Sequence, residues 1–484
     1  MWDMVSTAGM DAARQLRDQM QGAVLSPADS GYGAALQIWN GAIEHRPALF
    51  ARCETPRDVQ LAVQAARRYG VALSVRGGGH DWAGRALRPD GLVIDLSPMR
   101  SIEIDAKAKV ARVEGGVLAA DLIEAAAPHG LVAVTGAVGT VGLAGLTLGG
   151  GYGPLCAKYG LALDHLVAAE VVLADGRMVE ADATRNTDLF WALRGGGGNF
   201  GVVTAMYLRL HALREVVAGL ILFPWFEAET VLRGYAEAAG WAPDELSVIS
   251  GVVSDTSGNP LLFLAPCWSG EARRGEQIMA GLCRLGTPLA ADIGPRSYAS
   301  LLGMFDGQVV PGRHYTVQSR WLPGLTPPVI SSIVAAGSTR TSPYTTIILQ
   351  HFHGAAARVP LGNTAFGLRQ EHFLCDVIAG WEPAGGDNGS AHRGWARTIS
   401  QSLAAAALPG GYPSQLGPDH HEQIARAYGS NLVRLLDIKR RLDPDGVFCA
   451  TPLPRQTAEN MPLPAWAPAR TTRSPRSAVP EHGR

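Results

Sequence analysis

VRGGGHDWAG, Val75 to Gly84, places three consecutive glycines between a short apolar run and a histidine. The preceding VALSV, residues 71–75, is apolar and β-branched at both ends and reads as a short buried strand. Glycine lets a backbone turn sharply and lets another group come close to its N–H groups. A row of such N–H groups makes a nest for an anion, most often a phosphate. A bare turn needs one or two glycines. Three, followed by His-Asp-Trp, point to a ligand lying against the backbone.

The chain of 484 residues is too long for one simple core and predicts two or three domains. Hydrophobic residues at 47% and charged residues at 18% describe an ordinary globular protein. Lys and Arg number 42 against 43 Asp and Glu, a balance that excludes a general nucleic-acid binder or a membrane-surface protein. The 58 glycines concentrate between Val75 and Gly201. Cys53, Cys156, Cys267, Cys283, Cys375 and Cys449 are scattered without a CxxC, so reduced thiols are expected. The first twenty residues lack the apolar core of a signal peptide, and no apolar run approaches the ~18 residues of a membrane span. The expectation is a soluble cytoplasmic protein.

TPRDVQLAVQAARRYG, 55–70, reads as a capped helix with Thr55 or Asp58 at its start and Gly70 at its stop. GLVIDLS (91–97) and VARVEGGV (110–117) are strands with turns, and AADLIEAAAPHG (119–130) is a helix. HLVAAEVVLADGRMVEA (165–181) is a hairpin turning at Asp175-Gly176. Thr187 is expected to cap the helix TDLFWALR, after which GGGGNFGVVTAMYLRLHAL returns to a strand. Beyond residue 213 glycine thins out, and strands alternate with helical stretches such as AETVLRGYAEAAGWA. Residues 420–442 carry leucines at helical spacing, and the segment after about 455 is rich in Pro, Arg and Ser, the composition of a disordered tail.

One literal G-x-G-x-x-G occurs, at Gly196, Gly198 and Gly201. A Rossmann turn needs a strand before it and a helix after it. Here a helix precedes and a strand follows, so that reading fails, and no P-loop motif occurs. Three glycine clusters, at 77–79, 149–153 and 195–198, still imply a large phosphate-bearing cofactor between subdomains.

VRGGGHDWAG, then GLAGLTLGGGYGPLCAKYGLALDHL, then TDLFWALRGGGGNFGVVT, in this order, resemble the vanillyl-alcohol-oxidase, or PCMH-type, superfamily of flavoproteins and within it the berberine-bridge-enzyme-like branch. YGSNLVRLLDIKRRLDPDGVF resembles the helix and return strand that close that branch's flavin domain, while IWNGAIEHRPALFARC and GAAARVP look like bacterial oxidases of secondary metabolism. The resemblance spans roughly residues 37 to 455. It implies an α+β fold: an N-terminal helical segment (1–36), an FAD-binding domain of two subdomains (37–212), a substrate domain with a helix-covered antiparallel sheet (213–400), a C-terminal return to the flavin domain (401–455), and a disordered tail (456–484).

The resemblance further implies FAD, with Gly77, Gly78 and Gly79 around its pyrophosphate and His80 bonded covalently to the 8α-methyl of the ring, through an imidazole nitrogen acting as nucleophile. Carried over as cofactor-binding are also Arg76, Asp81, Gly84, Val138, Thr140, Val141, Gly142, Gly145, Gly149, Gly150, Gly151, Tyr152, Gly153, Asn199, Gly201, Val203, Tyr428 and Asn431. Many relatives add a cysteine link to flavin C6. Here Val138 stands at that position and cannot make a thioether, so a single link through His80 is expected. Val141 matches the position that admits oxygen, which implies O2 as acceptor and hydrogen peroxide as product.

Oxidation by flavin moves a hydride while a base takes a proton from the substrate's oxygen or nitrogen. Tyr412 matches the family tyrosine, with Ser414 replacing an asparagine, and is expected to need a lowered pKa. Gln350 is assigned to a second position facing the flavin; it can hydrogen-bond to a substrate but accepts no proton. His351 and His353 share a strand face, but no third ligand accompanies them and no metal is expected. The reaction expected is oxidation of a hydroxyl, lactol or phenolic centre of a secondary metabolite, with or without cyclisation. The alternatives are a sugar oxidase and a redox-silent flavin-fold protein. The partners are a small-molecule substrate and O2. The substrate itself and the oligomeric state are not legible in the sequence.

Overall fold

A computed structural model describes residues 7–383 and 388–454; the expected disordered tail lies outside them. The helix expected over 55–70 spans Pro56–Tyr69. The Thr55 side chain accepts from Asp58 N and the Asp58 carboxylate answers to the Thr55 backbone, a capping box, while Gly70 ends the helix at φ +67°. Asp58 also accepts from Gln21 N and Gly22 N, so the same carboxylate anchors the N-terminal segment.

Three sheets follow. The first joins Val24–Leu25, Leu49–Arg52, Leu92–Asp95 and Leu73–Arg76 in that order, its last three strands parallel. The second orders Ile102–Asp105, Val110–Glu114, Val202–Ala212, Leu166–Val172 and Met178–Asp182, all antiparallel, with Leu131–Ala133 also on Val202–Ala212. The Asp175-Gly176 turn closes the expected hairpin, with Gly176 at φ +84°.

The third sheet has seven antiparallel strands. Its order is Ala290–Arg296, Val216–Pro224, Pro260–Trp268, Leu246–Ser254, Thr346–Phe352, His372–Trp381 and His314–Leu322. Alternation sends Ile347, Leu349, Phe373, Cys375 and Val377 to one face, where they pack with Val231, Met279, Ile333 and Trp395 from the covering helices. The opposite face is left for the site.

Three local expectations are corrected. Thr187 is the first residue of its helix rather than its cap: Asn186 precedes it at φ +48° with its Nδ2 donating to Glu180 O. The stretch 420–442 is two helices, His421–Arg426 and Leu432–Leu442, because Gly429 at φ +49° interrupts the α-conformation. The expected return strand after Leu442 is irregular among the described residues. Asp443 accepts from Val447 N and Phe448 N, and Lys439 Nζ donates to Phe448 O, so side chains hold a bend where ladder bonds were expected.

Candidate active site

A cavity of about 430 Å³ opens along the glycine turn Gly77–Gly79 and ends under the seven-stranded sheet. Its wall takes in Gly142 and Gly145, Gly201 and Val203, and Cys449–Thr451 of the C-terminal segment. At the sheet end it meets Val317, Gln350, Leu374, Ile378, Tyr152 and Tyr412.

The glycine turn owes its composition to two causes. A Cβ on Gly78 would stand 2.4 Å from Gly142 N, and one on Gly142 2.3 Å from Gly78 N, so two backbones pass in contact there. Gly79 sits at φ +68°. Gly145 differs: it lines the cavity, and a Cβ on it would meet no protein atom within 4 Å. At the other wall Arg85 donates to Asp81 Oδ2 and Ser414 O, while its buried Nη1 has no partner. A cavity with an open glycine wall at Gly145, and with the Arg85 side chain among the residues that line it, fits the phosphates and carbonyl oxygens of FAD. Bound there, FAD supplies a two-electron acceptor.

His80 stands at the end of the glycine turn, its Nε2 2.9 Å from Thr140 Oγ1. Its ring stacks on Trp39 at 5.1 Å and 14°, and Trp39 stacks in turn on Tyr315 at 4.0 Å. Burial lowers the His80 pKa to about 4, so the imidazole is neutral at pH 7. When Thr140 accepts from Nε2, the lone pair resides on Nδ1, the state a nucleophile needs. Asn40 fixes this corner: its amide donates to Trp82 O and Tyr315 O and accepts from Tyr315 N. Val138 and Val141 line the cavity. Cys156 does not; it is buried among Tyr152, Leu161 and Trp321, where burial pushes its thiol up to about 11.

Several residues carried over as cofactor-binding do other work. The Arg76 guanidinium points away from the cavity, donating to both oxygens of buried Asp95 at 3.1 and 2.6 Å and to Ala35 O. Its charge is thereby used inside the protein, where it ties the glycine turn to the neighbouring strand. Gly84, at φ +73°, turns the chain where a Cβ would strike Ile43. Gly149 and Gly150 make room for the Tyr412 loop: a Cβ on Gly149 would stand 2.2 Å from Ser414 Oγ and one on Gly150 2.8 Å from Tyr412 Cε2, while one on Gly151, at φ +90°, would strike Ala162. Gly153 instead admits Thr135 O, 1.9 Å from where its Cβ would be. Asn199 spends its amide on Gly196 O and on Ala450 and Thr451. Tyr428 donates to Pro452 O, and Asn431 to Leu361 O, Thr364 O and Phe366 O. Asn199 and Tyr428 thereby fasten the C-terminal segment that forms part of the cavity wall, and Asn431 ties the start of the helix Leu432–Leu442 to residues 361–366.

Tyr412 is buried, and its hydroxyl accepts from Gly151 N at 3.1 Å. Its pKa is raised, foremost by burial, against the lowering pull of Ser414 and Gly151 N–H; the expected lowering is therefore corrected. Tyr152 packs on it at 5.0 Å and donates to His372 Nε2, since His372 Nδ1 gives its proton to Gln370 O.

Sequence reasoning missed Asp376. On the strand His372–Trp381 it lies between Leu374 and Ile378, which line the cavity, and alternation places it on the same face. It faces Ile348 and Ser319 across the sheet and is 3% exposed; no hydrogen bond of ordinary geometry reaches its Oδ1, and the adjacent Ser319 hydroxyl offsets only part of the effect of burial. Burial raises its pKa to about 7, and its charge reaches Tyr412. Gln350 occupies the cavity wall as expected. His351 and His353 lie on the helix-covered face, away from it, and stack on one another at 4.1 Å. Among the described residues no cluster suited to a metal ion occurs, and no helix is long and apolar enough to cross a membrane.

Known proteins show the same architecture. The family model described as an FAD binding domain matches residues 47–182, and that described as berberine and berberine like matches residues 417–452. An FAD-linked oxidoreductase of Bacillus subtilis is 31% identical over 441 residues, 89% of this chain and 97% of the relative. (R)-6-hydroxynicotine oxidase of Paenarthrobacter nicotinovorans is 39% identical over 292 residues, 59% of this chain and 63% of the relative. The crystal structure of 6-hydroxy-D-nicotine oxidase from Arthrobacter nicotinovorans superposes with a TM-score of 0.82 at 30% identity, covering 89% of this chain and 97% of that one. With the glycine cradle, His80 and the helix-covered sheet in place, the chain belongs to the berberine-bridge-enzyme-like branch of the PCMH-type flavoproteins and is an FAD-linked oxidoreductase.

Proposed function

We propose that the protein is an oxidase that oxidises a hydroxyl, lactol or phenolic centre in a mainly apolar small molecule, removing a hydride from the carbinol or lactol carbon or, for a phenol, from a hydrogen-bearing carbon attached to its ring, with O2 as the final acceptor and hydrogen peroxide as product. FAD is held covalently by His80 alone. Residues 37–212 carry the cofactor and 213–400 the substrate, with 401–455 returning to the flavin domain. Gly77, Gly78, Gly79, Asp81, Gly142, Gly145, Gly201 and Val203 contact the cofactor, and Thr140 orients His80.

The observation that carries the reading is a proton acceptor beneath the substrate end of the cavity: buried Asp376, near pH 7 in its titration, within electrostatic reach of Tyr412. As hydride leaves the substrate carbon, the substrate hydroxyl must lose its proton. Tyr412, with its hydroxyl oriented by Gly151 N–H and its phenol kept protonated by burial and by the Asp376 charge, stands where that proton leaves, and the Asp376 carboxylate takes the proton up and becomes the carboxylic acid. Gln350 orients the substrate oxygen by a hydrogen bond. The aliphatic wall of Val309, Val317, Leu374 and Ile378 supports an apolar substrate over a sugar, which would need more hydrogen-bonding groups.

The test is anaerobic flavin bleaching by stopped flow with phenolic and hydroxylated aromatic candidates, followed by peroxide assay on admission of air. Tyr412→Phe is expected to slow bleaching by about 10²–10⁴ while flavin loading survives. Bleaching within a few-fold of wild type would remove Tyr412 from the reaction. Turnover of a substrate without bleaching or peroxide would establish the redox-silent alternative.

A further inference from the structure

Residues 38–41, IWNG, run between the glycine turn and the seven-stranded sheet and are tied to both. Trp39 N donates at 3.0 Å to Gly79 O, the carbonyl just before His80, and Trp39 O accepts from Gly312 N at 2.9 Å. Gly41 N donates to Arg313 O, and a Cβ on Gly41 would stand 2.0 Å from Gly312 O, so the two backbones pass in contact. The Asn40 amide completes the tie at Trp82 and Tyr315.

This strap carries the ring on which His80 lies. The planes of Trp39 and His80 are 14° apart, with centroids at 5.1 Å, an offset stack. Tyr315, on the strand His314–Leu322, stacks on the same indole at 4.0 Å and 12°. Tyr315 is 4% exposed and its hydroxyl donates to Val310 O, so the indole rests on a ring that is itself held.

A bond from the imidazole needs the Nδ1 lone pair, which lies in the plane of the ring. Two torsions, χ1 and χ2, set where that lone pair points, and one contact cannot fix both. The hydrogen bond with Thr140 holds the position of Nε2. The stack on Trp39 holds the plane.

We infer that Trp39 is a positioning residue for the covalent flavin link: its indole keeps the His80 imidazole in the plane from which Nδ1 forms the bond. The inference rests on the His80 link proposed above. That bond joins Nδ1 to the 8α-carbon; one hydrogen leaves the methyl and one leaves the imidazole, and O2 takes up both with their two electrons as hydrogen peroxide. Holding a nucleophile in its reacting orientation is worth rate, and a small misplacement is costly.

Leu and Phe at position 39 both leave part of the indole's space empty, and only Phe offers a flat ring, so the pair separates stacking from bulk. The full chain of wild type, Trp39→Leu, Trp39→Phe and His80→Ala is synthesised in a cell-free system with FAD in air. At intervals the total FAD retained by the protein and the fraction that survives acid precipitation are measured.

The expected result is comparable retention of FAD in wild type and both Trp39 variants, with no acid-stable flavin in His80→Ala. The acid-stable fraction should form about ten- to a hundredfold more slowly in Trp39→Leu, and within a few-fold of wild type in Trp39→Phe. Trp39→Leu linking as fast as wild type overturns the inference. So does equal slowing in Trp39→Phe, which would assign the effect to lost bulk. A wild type with no acid-stable flavin refutes the His80 link itself, and this inference with it, and is told apart from both. Should Trp39→Leu retain no FAD, Trp39→Met takes its place on the same terms. Loss of FAD there too overturns the inference by making Trp39 a requirement of cofactor binding.

Discussion

Asp376→Asn separates the chemical from the structural role of the buried carboxyl. Burial raises its pKa from 3.8 to about 7. Each pKa unit is worth ~1.4 kcal/mol, so ionising Asp376 in the folded protein costs on the order of 4 kcal/mol of stability. The sign follows from proton counting. Between pH 3.8 and about 7 the folded state holds a proton that the unfolded state has lost, so stability falls across that window and levels off above it. Asparagine has nearly the same shape and never ionises. The variant should therefore match wild type in thermal unfolding near pH 4 and exceed it increasingly up to pH 7, with the gap constant from there to pH 9. Flavin reduction should move the other way. In wild type it should rise with pH through about 7 as the carboxylate forms, and in Asp376→Asn it should fall by about 10²–10⁴ and lose that limb. Differential scanning calorimetry from pH 4 to 9 and anaerobic stopped flow across the same range read both. A stability difference that does not change with pH would refute the burial argument. An intact acidic limb in the variant would assign the proton to another group.

Acid-precipitated protein should stay yellow, and peptide mass mapping should find FAD only on the peptide containing His80, with His80→Ala releasing the flavin; modification at Cys156 would contradict its burial away from the cavity. Val141→Leu adds one methylene to the cavity wall and should slow reoxidation by O2 about tenfold or more, a barrier increase of about 1.4 kcal/mol, while leaving anaerobic reduction nearly intact. If both half-reactions fall together, Val141 shapes the substrate end instead.

The parts of the fold that sequence made legible are those where a residue's local chemistry has one outcome. Thr55, Asp58 and Gly70 bracket a helix by capping, and Asp175-Gly176 turns a hairpin. The order helix, glycines, strand at 187–212 excludes a Rossmann turn, and the structure has that order. What sequence does not show is which of two partners a residue chooses. Arg76 adjoins the glycine nest, but a buried carboxylate on the next strand claims its charge. Asp376 went unread for the opposite reason. HFLCDVIAGW is apolar enough to read as core on both faces, and only the lone carboxyl within it marks a site.

The glycines at 149–151 carry this one step further. They look like cofactor glycines because they are consecutive, yet the atoms nearest their missing side chains at Gly149 and Gly150 belong to Tyr412 and Ser414. Gly151 at φ +90° then presents its N–H to the Tyr412 hydroxyl. A run of glycine is required wherever a second backbone or a ring must come within about 3 Å, whether the visitor is a ligand or another part of the chain. In this protein the first cluster, at 77–79, serves both visitors: Gly142 passes Gly78 in contact, and the cavity runs beside it. The second cluster serves the loop that carries Tyr412. Glycine at 149–151 is thus a condition of Tyr412 reaching the flavin cavity at all, and it acts on the chemistry through that ring's position.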